Sequence, residues 1–218
     1  MKNIKEEKSK KQHKKPEPLN VEARWAGLFS EPVLHIIVPE LYVKDLLEIT
    51  DKIIADPDAI DYSSNRAEKI YTGRQLSIPL NYNKKAVNFH NFTKQCCEAF
   101  IKRESGKEFD TAMDMWVVSQ HEGDYKKDPV KDKKLLSGIL YLKVPEQINI
   151  KTKPDGCLVF HGGRPYRPEL LDTKETEDIL PKVGDFYIFK SSLKYEIPPF
   201  KGKGEERFFT FNLLGRPK

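Results

Sequence analysis

The sequence predicts a mainly β domain, a jelly-roll barrel supported by two helices that precede most of its strands. Twice between residues 41 and 100, apolar side chains recur every three to five residues, which is typical of amphipathic helices. From Met113 onward the apolar segments are short and are separated by Gly, Pro, Asp and Lys. Successive short strands without helices between them indicate an antiparallel sandwich or barrel.

The chain begins with a lysine-rich segment. Residues 1–15 hold seven Lys and two Glu, so their net charge of +5 equals that of the whole chain. The remainder is neutral in sum, which argues against a basic nucleic-acid-binding face on the folded body. Pro16 and Pro18 break the composition there. We therefore expect residues 1–18 to form a basic flexible tail outside a folded domain of residues 19–218.

The elements of this domain are predicted in order along the chain. A β-branched run at 32–38 predicts the first strand, and the first helix ends near Pro57. The second helix ends before Gly106, a residue common just beyond a helix end. We expect at least seven strands within residues 108–214, arranged in two facing sheets. The strongest strand signals after the helices are residues 113–120, 136–144, 156–160, 184–189 and 208–214.

Five segments of this second half resemble, in order, those of a known family. Together they resemble the double-stranded β-helix of the putative 2-oxoglutarate/Fe(II)-dependent oxygenases, particularly the group frequent in marine bacteriophages. The resemblance covers about residues 28–214 and implies a cupin-like jelly roll. The segments are WVVSQ at 116–120, LSGILYLKVP at 136–145, DGCLVF at 155–160, VGDFYIF at 183–189 and PFKG at 199–202, followed by Arg207 and by FN at 211–212.

The resemblance implies an iron site made of two His and one carboxylate, with an Arg that pairs with 2-oxoglutarate. The sequence departs from this set. Lys131 stands at the place of the first His and Tyr195 at that of the distal His, so Asp132 remains as the one candidate ligand of its segment. The position of the Arg falls on Glu206, and Arg207 is the low-ranked candidate for binding 2-oxoglutarate. One residue along a strand separates its two faces.

Two interpretations of the function follow. In the first, the metal site is degenerate, no cofactor is expected, and the chain is a non-catalytic scaffold or interaction protein, a pseudoenzyme in a phage-encoded assembly. In the second, it is an active 2-oxoglutarate-dependent hydroxylase that holds Fe(II) through His121, Asp124 or Asp132, and His161. None of the five His has Asp or Glu two residues later, and none follows His161. This count favours the first interpretation.

The partners and the compartment are predicted only as classes. We expect a protein partner or assembly, and contact of residues 1–15 with an acidic surface or with nucleic acid. Cys96, Cys97 and Cys157 form no disulfide framework, and no apolar run is long enough to span a membrane. The prediction is an intracellular, cytoplasmic protein without membrane contact, with association with a virion as the alternative.

Overall fold

A computed structural model describes residues 21–28, 31–63, 70–127, 134–162 and 176–218 of the chain. The helices are α1 Glu40–Ala55 and α2 Lys84–Ser105, and the strands are β1 Glu22–Leu28, β2 Glu31–Ile37, β3 Arg74–Ser77, β4 Phe109–Gln120, β5 Lys126–Lys127, β6 Lys134–Lys143, β7 Leu158–His161, β8 Thr176–Ile179, β9 Asp185–Lys190, β10 Lys194–Ile197 and β11 Glu206–Pro217.

The strands form two antiparallel sheets. The larger sheet has the order β1-β2-β9-β6-β11-β4-β3, and the smaller has the order β5-β10-β7-β8. Phe160 of β7 contacts Phe189 of β9 edge to face, with 4.9 Å between the ring centroids, so the two sheets face each other. Eight strands, β4 to β11, begin within residues 108–214. The predicted jelly-roll architecture with at least seven strands in two facing sheets is confirmed.

The two helices cover the outer face of the larger sheet. Phe89 of α2 contacts Phe209 of β11 edge to face, with ring centroids 5.0 Å apart. This face and the helices share one hydrophobic core, while the space between the sheets holds a second core. Because the residues of the central strands of the larger sheet point alternately to the two cores, alternate positions of these strands have separate roles.

Both helices are confirmed close to their predicted limits. The Asn83 side chain caps the start of α2 by accepting a hydrogen bond from the Ala86 N–H at 2.9 Å. Gly106 follows its end with φ of 65°, a left-handed conformation that glycine adopts without steric cost. Neither helix of the described ranges is long and apolar enough to cross a bilayer.

Several strands lack a pattern that the sequence could reveal. Most of β1 is exposed, and it pairs with β2 as a hairpin, so its residues show no apolar alternation. The strands β5, β7, β8 and β10 of the smaller sheet have two to four residues each. Segments this short rarely show a period of two, although the strand predicted at 156–160 is confirmed as β7, Leu158–His161.

Candidate functional site

The site that the resemblance implies lies where β11 begins, beside β4 and β6. Phe208 belongs to the core between the sheets, whereas Phe209 belongs to the core beneath the helices. By the same alternation, Glu206 points between the sheets and Arg207 points toward α1. The single-residue offset seen in the sequence therefore places these two side chains on opposite faces.

Arg207 is held entirely by side chains of its own chain. Its Nε and Nη2 donate to the two carboxylate oxygens of Glu205 at 2.6 and 2.8 Å. Nη1 donates to Thr50 Oγ1 at 3.1 Å and to Asp51 Oδ1 at 2.5 Å, both on α1. Burial opposes the ionisation of Glu205, but hydrogen bonds from Arg207 and Ser119 outweigh it and lower its pKa to about 2. Arg207 thus joins β11 to α1 instead of facing the interior of the barrel.

Glu206 is fully buried, and in the described structure neither of its carboxyl oxygens has a hydrogen-bond partner. Its neighbour across the sheet is Gln120, whose Oε1 is also buried without a partner in these ranges. Burial raises the pKa of Glu206 well above its ordinary value. Burial in this apolar environment therefore favours the protonated, uncharged form of the carboxyl group.

A buried tyrosine adds to this polar group. Tyr141 of β6 is fully buried, and its hydroxyl has no hydrogen-bond partner in the residues that the structure describes. Burial, followed by the nearby Glu206 and Tyr187, raises the pKa of Tyr141 well above the ordinary value. The interior at this end of the barrel thus holds buried polar groups, and it also holds the buried ammonium of Lys126, whose Nζ lies 5.8 and 6.0 Å from the ring centroids of Trp116 and Phe208.

Tyr195 occupies the space between the sheets. It lies on β10 opposite Phe160, and its ring contacts that of Phe189 edge to face at 5.3 Å between centroids. Only 4% of Tyr195 is exposed. Lys131 and Asp132 lie outside the described residues, so the predicted clustering of residues 131, 132 and 195 stays a prediction.

Asp124, one of the alternative iron ligands, is buried and organises a loop. Its Oδ1 accepts hydrogen bonds from the backbone N–H groups of Tyr71 and Thr72 at 2.7 and 3.1 Å. Its Oδ2 accepts from Thr72 Oγ1, Gly73 N and His121 N at 3.1, 2.8 and 2.9 Å. Burial opposes ionisation, but the backbone hydrogen bonds outweigh it, so the pKa of Asp124 is lowered. Both oxygens are committed to the protein itself.

The two alternative histidine ligands have separate partners. His121 Nδ1 lies 3.2 Å from the Gly204 carbonyl oxygen. His161 Nε2 lies 3.2 Å from Glu196 Oε1 without hydrogen-bond geometry, while Tyr125 donates to the other oxygen of Glu196 at 2.5 Å. Over the described ranges, no three His, Cys, Asp or Glu side chains are grouped so that they could hold a metal ion. His121, Asp124 and His161 are thus not brought together as a ligand set.

The residues present in these ranges do not fit the iron and 2-oxoglutarate of the family. At the place that the resemblance gives to the distal His the chain has the phenol of Tyr195, and at the place of the Arg it has the buried carboxyl of Glu206, whose pKa burial raises. Such a carboxyl offers no positive charge to a dicarboxylate. The nearby guanidinium of Arg207 is bound to Glu205 and Asp51 on the opposite face.

Alternation along β11 is enough to predict the separation of Glu206 and Arg207, but two sets of side-chain contacts carry no sequence signal, one at this site and one away from it. The acidic partners of Arg207 come from α1 and from the residue two positions before it, and neither forms a motif. His35 and Asp185, whose side chains are hydrogen-bonded at 2.9 Å, lie 150 residues apart in the sequence. Only the pairing of β2 with β9 brings them together.

Comparisons with known proteins identify the fold. Residues 114–212 match the family model described as "Putative 2OG-Fe(II) oxygenase". A prolyl-4-hydroxylase from Pseudomonas putida is similar in structure, with a TM-score of 0.61 and 16% sequence identity, over 89% of this chain and 92% of that one. A prolyl hydroxylase from Trichoplax adhaerens, solved with a hypoxia inducible factor peptide, has a TM-score of 0.60 and 13% identity, over 84% and 83%.

A third solved structure is that of HygX from Streptomyces hygroscopicus with nickel, 2-oxoglutarate and hygromycin B bound. Its TM-score is 0.56 and its identity is 9%, over 84% of this chain and 82% of that one. No curated protein matches the chain. The predicted fold and the predicted resemblance to the oxygenase superfamily are both confirmed.

Proposed function

We propose that this chain, whose fold is that of the 2-oxoglutarate/Fe(II)-dependent oxygenases, is a non-catalytic scaffold or interaction protein. The observation that carries the proposal is the pair Glu206 and Arg207. A buried carboxyl faces the interior of the barrel where the family places its cationic clamp, and the guanidinium of the adjacent residue, Arg207, is held by Glu205 and Asp51. A dicarboxylate would meet no positive charge from these two residues.

The residues at the positions of the family's iron ligands support the same proposal. Tyr195 packs its ring between Phe160 and Phe189, and its phenol replaces the imidazole that the family uses. Asp124 is committed to five hydrogen bonds within the protein, so it would have to give up the donors of residues 71–73 and 121 to bind iron. We therefore expect neither Fe(II) nor 2-oxoglutarate to act as a cofactor here.

Anaerobic titration with Fe(II) in the presence of 2-oxoglutarate tests this proposal. Calorimetry and the absorbance of the iron–oxoacid complex should show no saturable binding, and 2-oxoglutarate should be consumed no faster than in buffer. An oxygenase of the same fold serves as the positive control. Binding of one Fe(II) per chain together with 2-oxoglutarate turnover would overturn the proposal in favour of an active hydroxylase with His121 and His161 as ligands.

Reconstruction provides the reverse experiment. Lys131→His, Tyr195→His and Glu206→Arg together restore the residue types that the resemblance implies. If the barrel retains the family's frame, this triple variant should bind Fe(II) while the native chain does not. The matched control, Glu206→Gln alone, should leave iron binding absent.

The segment of residues 1–15 supplies the contact that we propose for the partner. Its net charge of +5 is concentrated in one short stretch, whereas the rest of the chain is neutral in sum. Such a segment binds acidic surfaces by charge alone, with an affinity that salt weakens. The partner that we propose is an acidic protein surface within an assembly. The resemblance to the phage group supports a phage-encoded assembly as its setting.

A further inference from the structure

A pocket unrelated to the oxygenase site lies at the outer edge of the larger sheet. It has a volume of about 340 Å³ and is bordered by β1, β2, the start of β9 and the segment before β9. Its charged and titratable lining residues are Glu22, Arg24, His35, Lys182, Asp185 and Tyr187. We refer to this set of residues as the edge pocket.

His35 is held rigidly at the centre of the edge pocket. It pairs across the sheet with Arg24 on one side and with Tyr187 on the other. Its ring is stacked on that of Tyr187, with 4.6 Å between centroids and 10° between planes. Nε2 lies 2.9 Å from Asp185 Oδ1, and the Tyr187 hydroxyl donates to Asp185 Oδ2 at 3.3 Å.

This arrangement decides which ring nitrogen can meet a ligand. The carboxylate of Asp185 only accepts hydrogen bonds, so Nε2 of His35 carries its hydrogen. Nδ1 is then the nitrogen that remains for a second partner. A histidine held in this way can gain a proton at Nδ1 without any movement of its ring.

When the His35 ring is neutral, the charged side chains of the edge pocket sum to zero. Arg24 and Lys182 contribute two positive charges, and Glu22 and Asp185 contribute two negative ones. Glu22 forms an ion pair with Arg24, and Asp185 pairs with His35. Lys182 has no ion pair within the part of the chain that the structure describes. A protonated His35 therefore gives the edge pocket one net positive charge, with Lys182 as the available cation.

We propose that the edge pocket binds a small oxyanion, a carboxylate or a tetrahedral phosphate-type group, between Lys182 and protonated His35. The ammonium Nζ and the imidazolium Nδ1–H donate to the anion, while Asp185 continues to accept from Nε2–H. Binding then takes up one proton at Nδ1. Because a proton is taken up together with the anion, the affinity must rise as the pH falls.

The test is an NMR titration of the His35 imidazole in the full chain. Sulfate represents the tetrahedral group and acetate the carboxylate, because both stay at least about nine-tenths ionised from pH 6 to pH 8; sodium chloride at equal ionic strength is the reference. At least one anion should shift the His35 signals saturably. Its affinity should be higher at pH 6 than at pH 8, by no more than about tenfold per pH unit for the uptake of one proton.

Two lysine variants separate a site from general charge. Lys182→Gln should weaken the affinity by about tenfold or more, because it removes the lysine of the edge pocket that has no ion pair with the described residues. Lys201→Gln, which removes an exposed lysine outside the pocket, should leave the affinity unchanged. Saturation by sulfate alone or by acetate alone upholds the proposal and identifies the anion class. The proposal is wrong if neither anion saturates, if the affinity is independent of pH, or if Lys182→Gln binds as tightly as the native chain.

Discussion

Glu206 is a carboxylic acid whose charged form the fold disfavours. It is fully buried, its oxygens have no partners in the described residues, and its ordinary charge would be costly in that environment. Folding therefore raises the affinity of this side chain for a proton. Stability becomes linked to pH through a single side chain.

Replacing Glu206 with Gln should remove this linkage. The pKa of Glu206 is higher in the folded chain than in the unfolded chain, so its contribution to stability is present below the ordinary pKa. That contribution is lost as the pH rises toward the folded value, by about 1.4 kcal/mol per pH unit. Urea unfolding at pH 5 and pH 8 should show a smaller loss of unfolding free energy in Glu206→Gln than in the native chain. Glu146→Gln, at an exposed position, should retain the native slope, and an equal slope in both variants would contradict the assignment.

Asp124 differs from Glu206 because its charged form is stabilised by the hydrogen bonds that it accepts. Asp124→Asn replaces one acceptor oxygen with an amide group that faces N–H donors, so we expect a loss of about 2–4 kcal/mol in unfolding free energy at pH 7. The pKa of Asp124 is lowered, so this contribution is present above the ordinary pKa of Asp and is lost as the pH falls below it. Denaturant unfolding at pH 7 and pH 3 measures both effects. Asp114→Asn, at an exposed position of β4, is the control and should change little; equal stability of the two variants would show that the loop does not depend on Asp124.

At the scale of elements, the sequence predicted what depends on long periodic patterns. The two helices have amphipathic spacing, and the long central strands β4, β6 and β11 each contain six to eight consecutive buried residues, so their apolar pattern is readable. The exposed hairpin strand β1 and the short strands β5, β8 and β10 are defined by their partners, which sequence spacing does not encode. The same limit applies to the site. One-residue alternation correctly separated Glu206 from Arg207, whereas the pairs Arg207–Asp51 and His35–Asp185 needed the tertiary fold.

The segment Leu136-Ser137-Gly138 shows how one of these central strands uses a glycine. The Phe211 ring of β11 lies over Gly138 of β6, and a Cβ at this position would be 2.2 Å from Phe211 Cε1. Gly138→Ala should therefore displace a ring that packs against Phe186 and lower the unfolding free energy by about 1–3 kcal/mol. Gly27→Ala is a matched control, because no atom lies within 4 Å of the added Cβ. Adding Phe211→Leu should recover part of the loss, and no recovery would contradict the steric cause.

At the scale of the whole molecule, charge and fold occupy different parts of the chain. The lysine-rich residues 1–15 lie outside the described structure, while the first strand begins at Glu22 and Val21 packs against the core beneath the helices. The predicted division at residues 18 and 19 is consistent with this order, but it stays a prediction. Truncation is the direct way to separate the two parts.

A chain that begins at Val21 should fold like the full chain and lose its electrostatic binding. Since β1 and the core remain complete, its unfolding free energy should change by no more than about 0.5 kcal/mol. Binding of the full chain to an acidic polymer such as polyglutamate should weaken steeply as salt increases, and the truncated chain should bind weakly at all salt concentrations.

A variant with Lys10, Lys11, Lys14 and Lys15 changed to Gln keeps the length but removes charge, and it should behave like the truncated chain. If this variant binds like the native chain, the contact is not electrostatic; if truncation lowers the stability by several kcal/mol, residues 1–20 belong to the folded domain. Stronger binding to single-stranded DNA than to polyglutamate at equal charge would identify nucleic acid as the partner instead of an acidic protein.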